Sequence, residues 1–176
     1  MKSSRVTLRS PAEIAQAREA GRLAARVLHM ITPHVQPGVS TEALDRLCHD
    51  YIVNELQVTP ANVGYLGYPK TVCTSVNHVI CHGIPSPGQV LKAGDIINID
   101  VAIIKDGWFG DTSRMYFVGE PSPLARRLVD TTYEAMCAGI AQVRPGATLG
   151  DVGHAIQTVA HRERFSVVRE YCGHGI

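Results

Sequence analysis

Asp95-Ile-Ile-Asn-Ile-Asp100-Val-Ala-Ile-Ile-Lys-Asp-Gly-Trp-Phe-Gly-Asp111-Thr-Ser113 places two carboxylates on what its alternation reads as one face of a β-hairpin. Ile97, Ile99, Val101 and Ile103 form one face of the first strand, and Asn98, Asp100 and Ala102 form the other. Asp106-Gly107 is a strong hairpin-turn signal. With that pair at the centre of the turn, Ala102 faces Asp111 and Asp100 faces Ser113. The two aspartates are then diagonal neighbours, with backbones roughly 7 to 8 Å apart. Such a platform could bridge two hard or borderline cations about 3.5 to 4 Å apart. Two bare carboxylates turned toward a core would instead repel each other and lose their hydration. A solvated hairpin face with ordinary surface aspartates is the other reading, and the hairpin alone leaves both open.

The chain has 176 residues, 45% of them hydrophobic, which suits a domain with a real core rather than a disordered or membrane protein. No apolar run reaches the roughly 18 residues that a membrane span needs. Met1-Lys2-Ser3-Ser4 leads into a polar helix rather than the apolar core of a signal peptide, so the expected location is the cytoplasm. A net charge of +1 with mixed signs leaves no basic footprint for nucleic acid or for a membrane surface. Cys48, Cys73, Cys81, Cys137 and Cys172 are odd in number and contain no Cys-x-x-Cys, so they read as reduced thiols and not as a disulfide framework or zinc knuckle.

The chain also repeats itself. Ser10-Pro11-Ala12-Glu13 combines an N-cap, a proline at the first helical position and a capping-box glutamate. A helix follows through Ile14, Ala17, Gly21, Ala24, Val27, Leu28 and Ile31, and Pro33 marks its end. Val35-Gln-Pro-Gly-Val-Ser40-Thr41 then leads into a second helix through Leu44, Leu47, Tyr51 and Leu56. Later, Ser122-Pro123 caps a helix through Leu128, Val129, Ala135, Met136 and Ile140. Val143-Arg-Pro-Gly-Ala-Thr148 leads into a fourth through Val152, Ile156 and Val159. The two links, beginning at Val35 and Val143, stand 108 positions apart. A strand region over Cys73 to Val79 and the aspartate hairpin follow the first helix pair, whereas only Ser166 to Ile176 follows the second. The expectation is one catalytic domain over 1–176, with a first pseudo-repeat at 1–118 and the start of a second at 119–176. On this reading it is the N-terminal portion of a longer pseudo-symmetric protein.

Two histidines sit beside glycines, in Cys81-His82-Gly83-Ile-Pro85 and in Tyr171-Cys-Gly-His174-Gly-Ile176. Glycine permits a sharp turn and close approach of a ligand, so either histidine could be aimed into a cleft and complete a metal site begun by carboxylates. A hydrogen-bonded structural histidine is the alternative for each. A Cys81/His82 nucleophile pair is disfavoured, because neighbours on a strand point to opposite faces. His-Glu-x-x-His, phosphate-binding glycine loops and Gly-x-Ser-x-Gly are absent from the sequence.

Five segments together carry a specific resemblance. They are Gly64-Tyr65-Leu-Gly-Tyr68-Pro-Lys-Thr-Val-Cys73, Ser75-Val-Asn77-His-Val79-Ile-Cys81-His82-Gly-Ile-Pro85, Gly94-Asp-Ile-Ile-Asn-Ile-Asp100, Gly110-Asp111-Thr-Ser113 and Phe165-Ser-Val-Val-Arg-Glu-Tyr-Cys-Gly-His174-Gly-Ile176. Together they resemble the bacterial type I methionine aminopeptidases almost end to end. The resemblance implies an α/β (α+β) pita-bread fold, the creatinase/aminopeptidase fold, with two pseudo-symmetric ααβ halves around a curved antiparallel sheet and the second half truncated here. It implies removal of the initiator methionine from nascent proteins by a hydroxide activated between two divalent ions, which could be cobalt, manganese, iron or zinc. Asp100, Asp111 and His174 match metal ligands in that family, and His82 matches a residue that contacts the substrate and assists the reaction. Tyr65, Tyr68 and Cys73 match the lining of the methionine pocket; as bare sequence, the tyrosines could equally be strand-edge aromatics. Asn77 and Val79 match positions whose carbonyls hold a monovalent cation, sodium or potassium.

The implied partners are polypeptide N-termini that begin with Met and a small second residue, met at the ribosome, with the complete enzyme a monomer and no nucleic-acid or membrane site. Two further glutamate ligands and a second histidine of the family come from sequence after the position matching Ile176, so these 176 residues alone are expected to bind metal weakly and to release no methionine. Asn62 stands at a pocket position that is often cysteine in relatives, which leaves the finer pocket shape open. An X-Pro aminopeptidase or prolidase of the same fold would share the Asp, Asp and His but should lack the tyrosine-rich approach to Cys73. A binding protein that keeps the fold without its metal set is disfavoured by the presence of all three matched ligands.

Overall fold

The computed structural model describes residues 7–176 and divides into two compact units, Met1–Glu120 with Ile176, and Pro121–Gly175. The reading of Met1 to Ser4 lies outside the described residues.

In the first unit, helix α1 (Pro11–Ile31) opens with Ser10 as N-cap: its Oγ accepts from the Glu13 backbone, and the Glu13 carboxylate accepts in return from the Ser10 backbone. A 3-10 turn over Thr32–His34 takes up Pro33 and ends the helix. Helix α2 (Thr41–Asp50) begins at the Ser40 N-cap and widens into a π turn over Tyr51–Glu55, so the expected helical run through Leu56 continues with altered pitch. Four strands follow: β1 (Thr59–Pro60), β2 (Val72–Val76), β3 (Ile96–Lys105) and β4 (Trp108–Phe117). β3 is the centre of the antiparallel sheet, with β1 and β2 on one side and β4 on the other.

The hairpin adopts the register its sequence implies. Ala102 pairs with Asp111 and Asp100 with Ser113, around a turn whose Asp106 and Gly107 have φ of +50° and +83°. Alternation along β3 buries Ile97, Ile99, Val101 and Ile103 and leaves Asn98, Asp100 and Ala102 half-buried on the opposite face. Against the buried face pack Ala20, Leu23, Ala24, Val27, Leu28 and Ile31 of α1, with Leu44 and Cys48 of α2 completing the core. The Tyr116 hydroxyl donates to the Leu28 carbonyl at 2.7 Å and ties β4 to α1. α1 comes so close to β4 at Gly110 that a Cβ there would overlap the Ala20 carbonyl.

Two local expectations are corrected. β2 stops at Val76 rather than running to Val79, because Asn77 turns into the left-handed region at φ +52° and donates its backbone N–H to Ile96. Cys81 and His82 do not lie on a strand: the segment is irregular, and His82 has φ +56°.

In the second unit, α3 (Pro123–Ile140) is capped by Ser122, and α4 (Leu149–Arg162) by a Thr148–Asp151 capping box. They pack closely where Gly139 meets Ile156 and Val152, and Arg162 pairs with Glu134 at 2.7 Å. The links into α2 and α4 share their backbone form: Gly38 and Gly146 have φ of +88° and +87°, and Ser40 and Thr148 cap the helices that follow. Residues 163–176 contain no helix or strand. No helix among the described residues is long and apolar enough to cross a membrane.

Candidate functional site

The polar face of the sheet gathers the site residues of the first unit into rows set by strand register. Cys73 on β2 pairs with Asp100 on β3, which pairs with Ser113 on β4. One step along β4, and on the same face, stands Asp111, exposed, opposite Ala102. The carboxylates are diagonal neighbours, so they approach without facing each other directly. In the adjacent row Ser75 pairs with Asn98 and Asn98 with Met115, and the Asn98 amide donates to Ser113 Oγ at 3.2 Å.

Cys73 is the buried end of its row, 6% exposed. Burial pushes its thiol above the ordinary cysteine range; the charges of Asp100, Cys81 and Asp111 push it the same way, against a hydrogen bond from Tyr68. Both aspartates therefore act on the same sulfur, which stays a neutral thiol. The Tyr68 hydroxyl lies within reach of the Val72 carbonyl, at 3.0 Å, and of the Gly83 carbonyl, at 3.3 Å, either of which can accept its one proton. Burial, then the contact with Cys73, raises the phenol far above its usual range. An uncharged phenol and an uncharged thiol thus lie beside two carboxylates.

Tyr65 lies in a 3-10 turn over Tyr65–Gly67, between Gly64 and Gly67 at positive φ, and is 69% exposed. His82 is exposed, and its neighbour Gly83 lies against β2. Gly83 packs on β2 so closely that a Cβ would overlap the Thr74 backbone; its N–H donates to Ser75 Oγ at 3.1 Å, and its carbonyl accepts from the Thr74 N–H at 2.7 Å. Asn77 bridges β2 to β3: its amide nitrogen donates to Asp95 at 2.8 Å and its amide oxygen accepts from Ile96 at 3.0 Å. The Val79 N–H closes that turn on the Val76 carbonyl at 3.1 Å. His174 belongs to the second unit and is exposed, with Nδ1 3.0 Å from the Gly175 carbonyl. Among the described residues, no group of three or more His, Cys, Asp or Glu side chains is drawn together as a metal cage. The first unit thus supplies a carboxylate pair: hard, anionic oxygen donors of the kind that suit manganese, iron, cobalt or zinc.

Asp45 was missed in the sequence. It lies on α2 but accepts hydrogen bonds from Thr71 and Val72 at the entry to β2. The available signal was an aspartate among Thr41, Leu44 and Cys48, at the spacing of a core-facing stripe. Asn62 turns its amide to the Thr71 carbonyl at 3.1 Å.

Metallopeptidase family M24 matches residues 15–176. A methionine aminopeptidase of Escherichia coli (strain K12) is 54% identical over 171 residues, covering 97% of this chain and 65% of the relative, so the chain spans about two thirds of that protein's length. The crystal structure of methionine aminopeptidase from Rickettsia prowazekii superposes with a TM-score of 0.95 at 51% identity, covering 98% of this chain and 68% of the other. An Xaa-Pro dipeptidase from Bacillus anthracis, 20% identical with a TM-score of 0.77 over 95% of this chain and 44% of its own, shares the fold. The architecture is therefore the α/β pita-bread fold. With the carboxylate pair in the register its hairpin implies and the family matched over nearly the whole chain, the protein belongs to metallopeptidase family M24.

Proposed function

We propose that this protein is a metal-dependent aminopeptidase that removes the initiator methionine from polypeptides whose second residue is small. The observation that carries this reading is the row in which Asp100 lies between a neutral Cys73 thiol and Ser113, with Asp111 diagonal to it. Support also comes from the 54% identity to the Escherichia coli methionine aminopeptidase. A thioether side chain favours an uncharged, polarizable lining, and Tyr68 and Cys73 provide one beside the anionic centre. Tyr65 at the rim would close over the bound residue.

Asp100, Asp111 and His174 are the residues of this chain that would hold divalent ions. The donor set suits cobalt, manganese, iron or zinc. Bound there, the ions would polarise the scissile carbonyl and activate water. His82 would hydrogen-bond the reacting peptide. A neutral substrate α-amine anchored at the ion-bearing Asp100 end of the site would restrict cleavage to the first residue. The turn at Asn77 and Val79 would offer its carbonyls to sodium or potassium. The two helix pairs are read as parts of one catalytic domain that acts on nascent chains in the cytoplasm, near the ribosome.

The test compares the purified, chelator-stripped complete enzyme with its Asp100→Asn and Asp111→Asn variants by titrating manganese or cobalt calorimetrically and assaying Met-Ala-Ser and Ala-Pro hydrolysis. The expected result is metal-dependent release of methionine from the first peptide only, with both variants losing at least tenfold in metal affinity. Unaltered metal binding in both variants, or cleavage of Ala-Pro in place of Met-Ala-Ser, would overturn the reading.

A further inference from the structure

A buried carboxylate outside the aspartate pair holds the strand that carries Cys73. Asp45 is 6% exposed, on the core-facing side of α2, where an unsatisfied carboxylate would be costly. A single oxygen, Oδ1, accepts from the backbone N–H of Thr71 at 2.8 Å and of Val72 at 2.9 Å. The other polar atoms of Thr71 are engaged as well: its Oγ1 lies 2.8 Å from His49 Nδ1, and its carbonyl accepts from Asn62 at 3.1 Å. Lys70 reaches Glu42 of α2 at 2.8 Å, so three consecutive residues are fastened to surrounding elements just before the sheet begins.

Register is at stake at this junction. The ladder between β2 and β3 starts at Val72, paired with Val101, and the chain before it is irregular from Tyr68 onward. No earlier rung of that ladder fixes where β2 enters. A slip of one residue would turn Cys73 toward the core and Val72 toward the aspartates, because side chains alternate with a period of two. The Val72 carbonyl also accepts the Tyr68 hydroxyl, so the same residue sets the height of both slot walls.

We infer that Asp45 is a positioning residue for the methionine slot: from α2 it fixes the entry of β2 and thereby keeps Cys73 and Tyr68 beside Asp100. This rests on the slot reading above, and the test separates the two. Asp45→Ala and Asp45→Asn are compared with the parent by the alkylation rate of Cys73 followed by peptide mass spectrometry, by amide exchange at Thr71 and Val72, and by kcat and KM for Met-Ala-Ser in the metal-loaded complete enzyme. Asp45→Ala should speed Cys73 alkylation at least tenfold and raise KM about tenfold, with kcat within threefold. Asp45→Asn should stay within about twofold on both, because one amide oxygen can accept both N–H bonds.

Faster alkylation with an unchanged KM supports the positioning role and removes Cys73 from the substrate slot. A lower melting temperature with alkylation and KM both unchanged is what a merely structural carboxylate would give, and it overturns the inference. So does an Asp45→Asn variant as impaired as Asp45→Ala. If Asp45→Ala does not fold, the parent protein decides: Thr71 and Val72 amides that exchange as fast as those of the exposed Tyr65–Gly67 turn overturn it, and slow exchange preserved in Asp45→Asn supports it.

Discussion

Leu66, Asn77 and His82 hold φ of +49°, +52° and +56°, a region that side-chain-bearing residues occupy only where their surroundings insist. At Asn77 the cause is visible, since its side chain and backbone are both bonded across to β3. At His82 it is the neighbour: Gly83 is clamped onto β2, and the chain must double back to reach it. The imidazole is exposed rather than packed in the core. A group placed to act on the peptide and not on the ions should be dispensable for binding metal. In the complete enzyme His82→Ala is expected to lower kcat for Met-Ala-Ser by about 10², the ordinary contribution of one proton-donating or hydrogen-bonding side chain, with metal stoichiometry unchanged. Stopped-flow turnover alongside elemental analysis checks this, and loss of metal would reassign the residue as a ligand.

At the level of elements, the aspartate hairpin is carried by α1, and Gly110 is where they meet. The residue beside Asp111 has no side chain because the Ala20 carbonyl occupies the space a Cβ would need. Backbone cannot yield there as a side chain could, so Gly110→Ala should push α1 off β4 and cost about 3 kcal/mol, the upper end of ordinary overpacking. Gly139 offers a contrast. A Cβ there meets Cγ1 and Cδ1 of Ile156, at 2.8 and 2.9 Å, side-chain atoms that can shift more readily than a backbone carbonyl although the β-branched χ1 is stiff. Helix propensity favours alanine at that position by up to about 1 kcal/mol and offsets part of the shift Ile156 must make, so Gly139→Ala should cost less than Gly110→Ala. Urea unfolding of the two variants checks the ordering, and equal losses would contradict the backbone clash at Gly110.

Over the whole molecule, the core makes stability sensitive to alkali. Burial pushes the Cys48 thiol from 9.0 up to about 12, with the charge of Asp45 adding to the effect. Burial likewise pushes Tyr116 from 10.0 up to about 12. In each case the folded chain holds its proton to higher pH than the unfolded chain. The contribution is therefore fully present below about pH 9 and is lost as pH rises toward 12. Each group should steepen the fall by as much as about 1.4 kcal/mol per pH unit within its own window. Denaturant unfolding at pH 8, 9, 10 and 11 measures the slope. Cys48→Ala should flatten it between pH 9 and 10, where Cys48 acts before Tyr116, even though the variant is less stable at neutral pH.

The hairpin register, the capped starts of α1 and α3 and the matching Gly38 and Gly146 links were all legible in the residues alone. Each depends on chemistry within a few positions: a turn that needs two positive φ values, a hydroxyl that caps a backbone three residues on, a period of two along a strand. The polar face bearing Asp100 and Asp111 followed from the same short-range rules. Other features were decided only by the tertiary structure. β2 ends at Val76 because Asn77 finds partners in Asp95 and Ile96, 18 and 19 residues away. Cys73 stays neutral because folding buries it and brings the charges of Asp100 and Asp111, on other strands, to bear on its thiol. Asp45 matters because folding brings it to Thr71 and Val72, 26 and 27 residues further along the chain. Hydrophobic periodicity marks α2 as a helix with one face turned inward, but it carries no information about which backbone amides will need that buried carboxylate once the strand arrives.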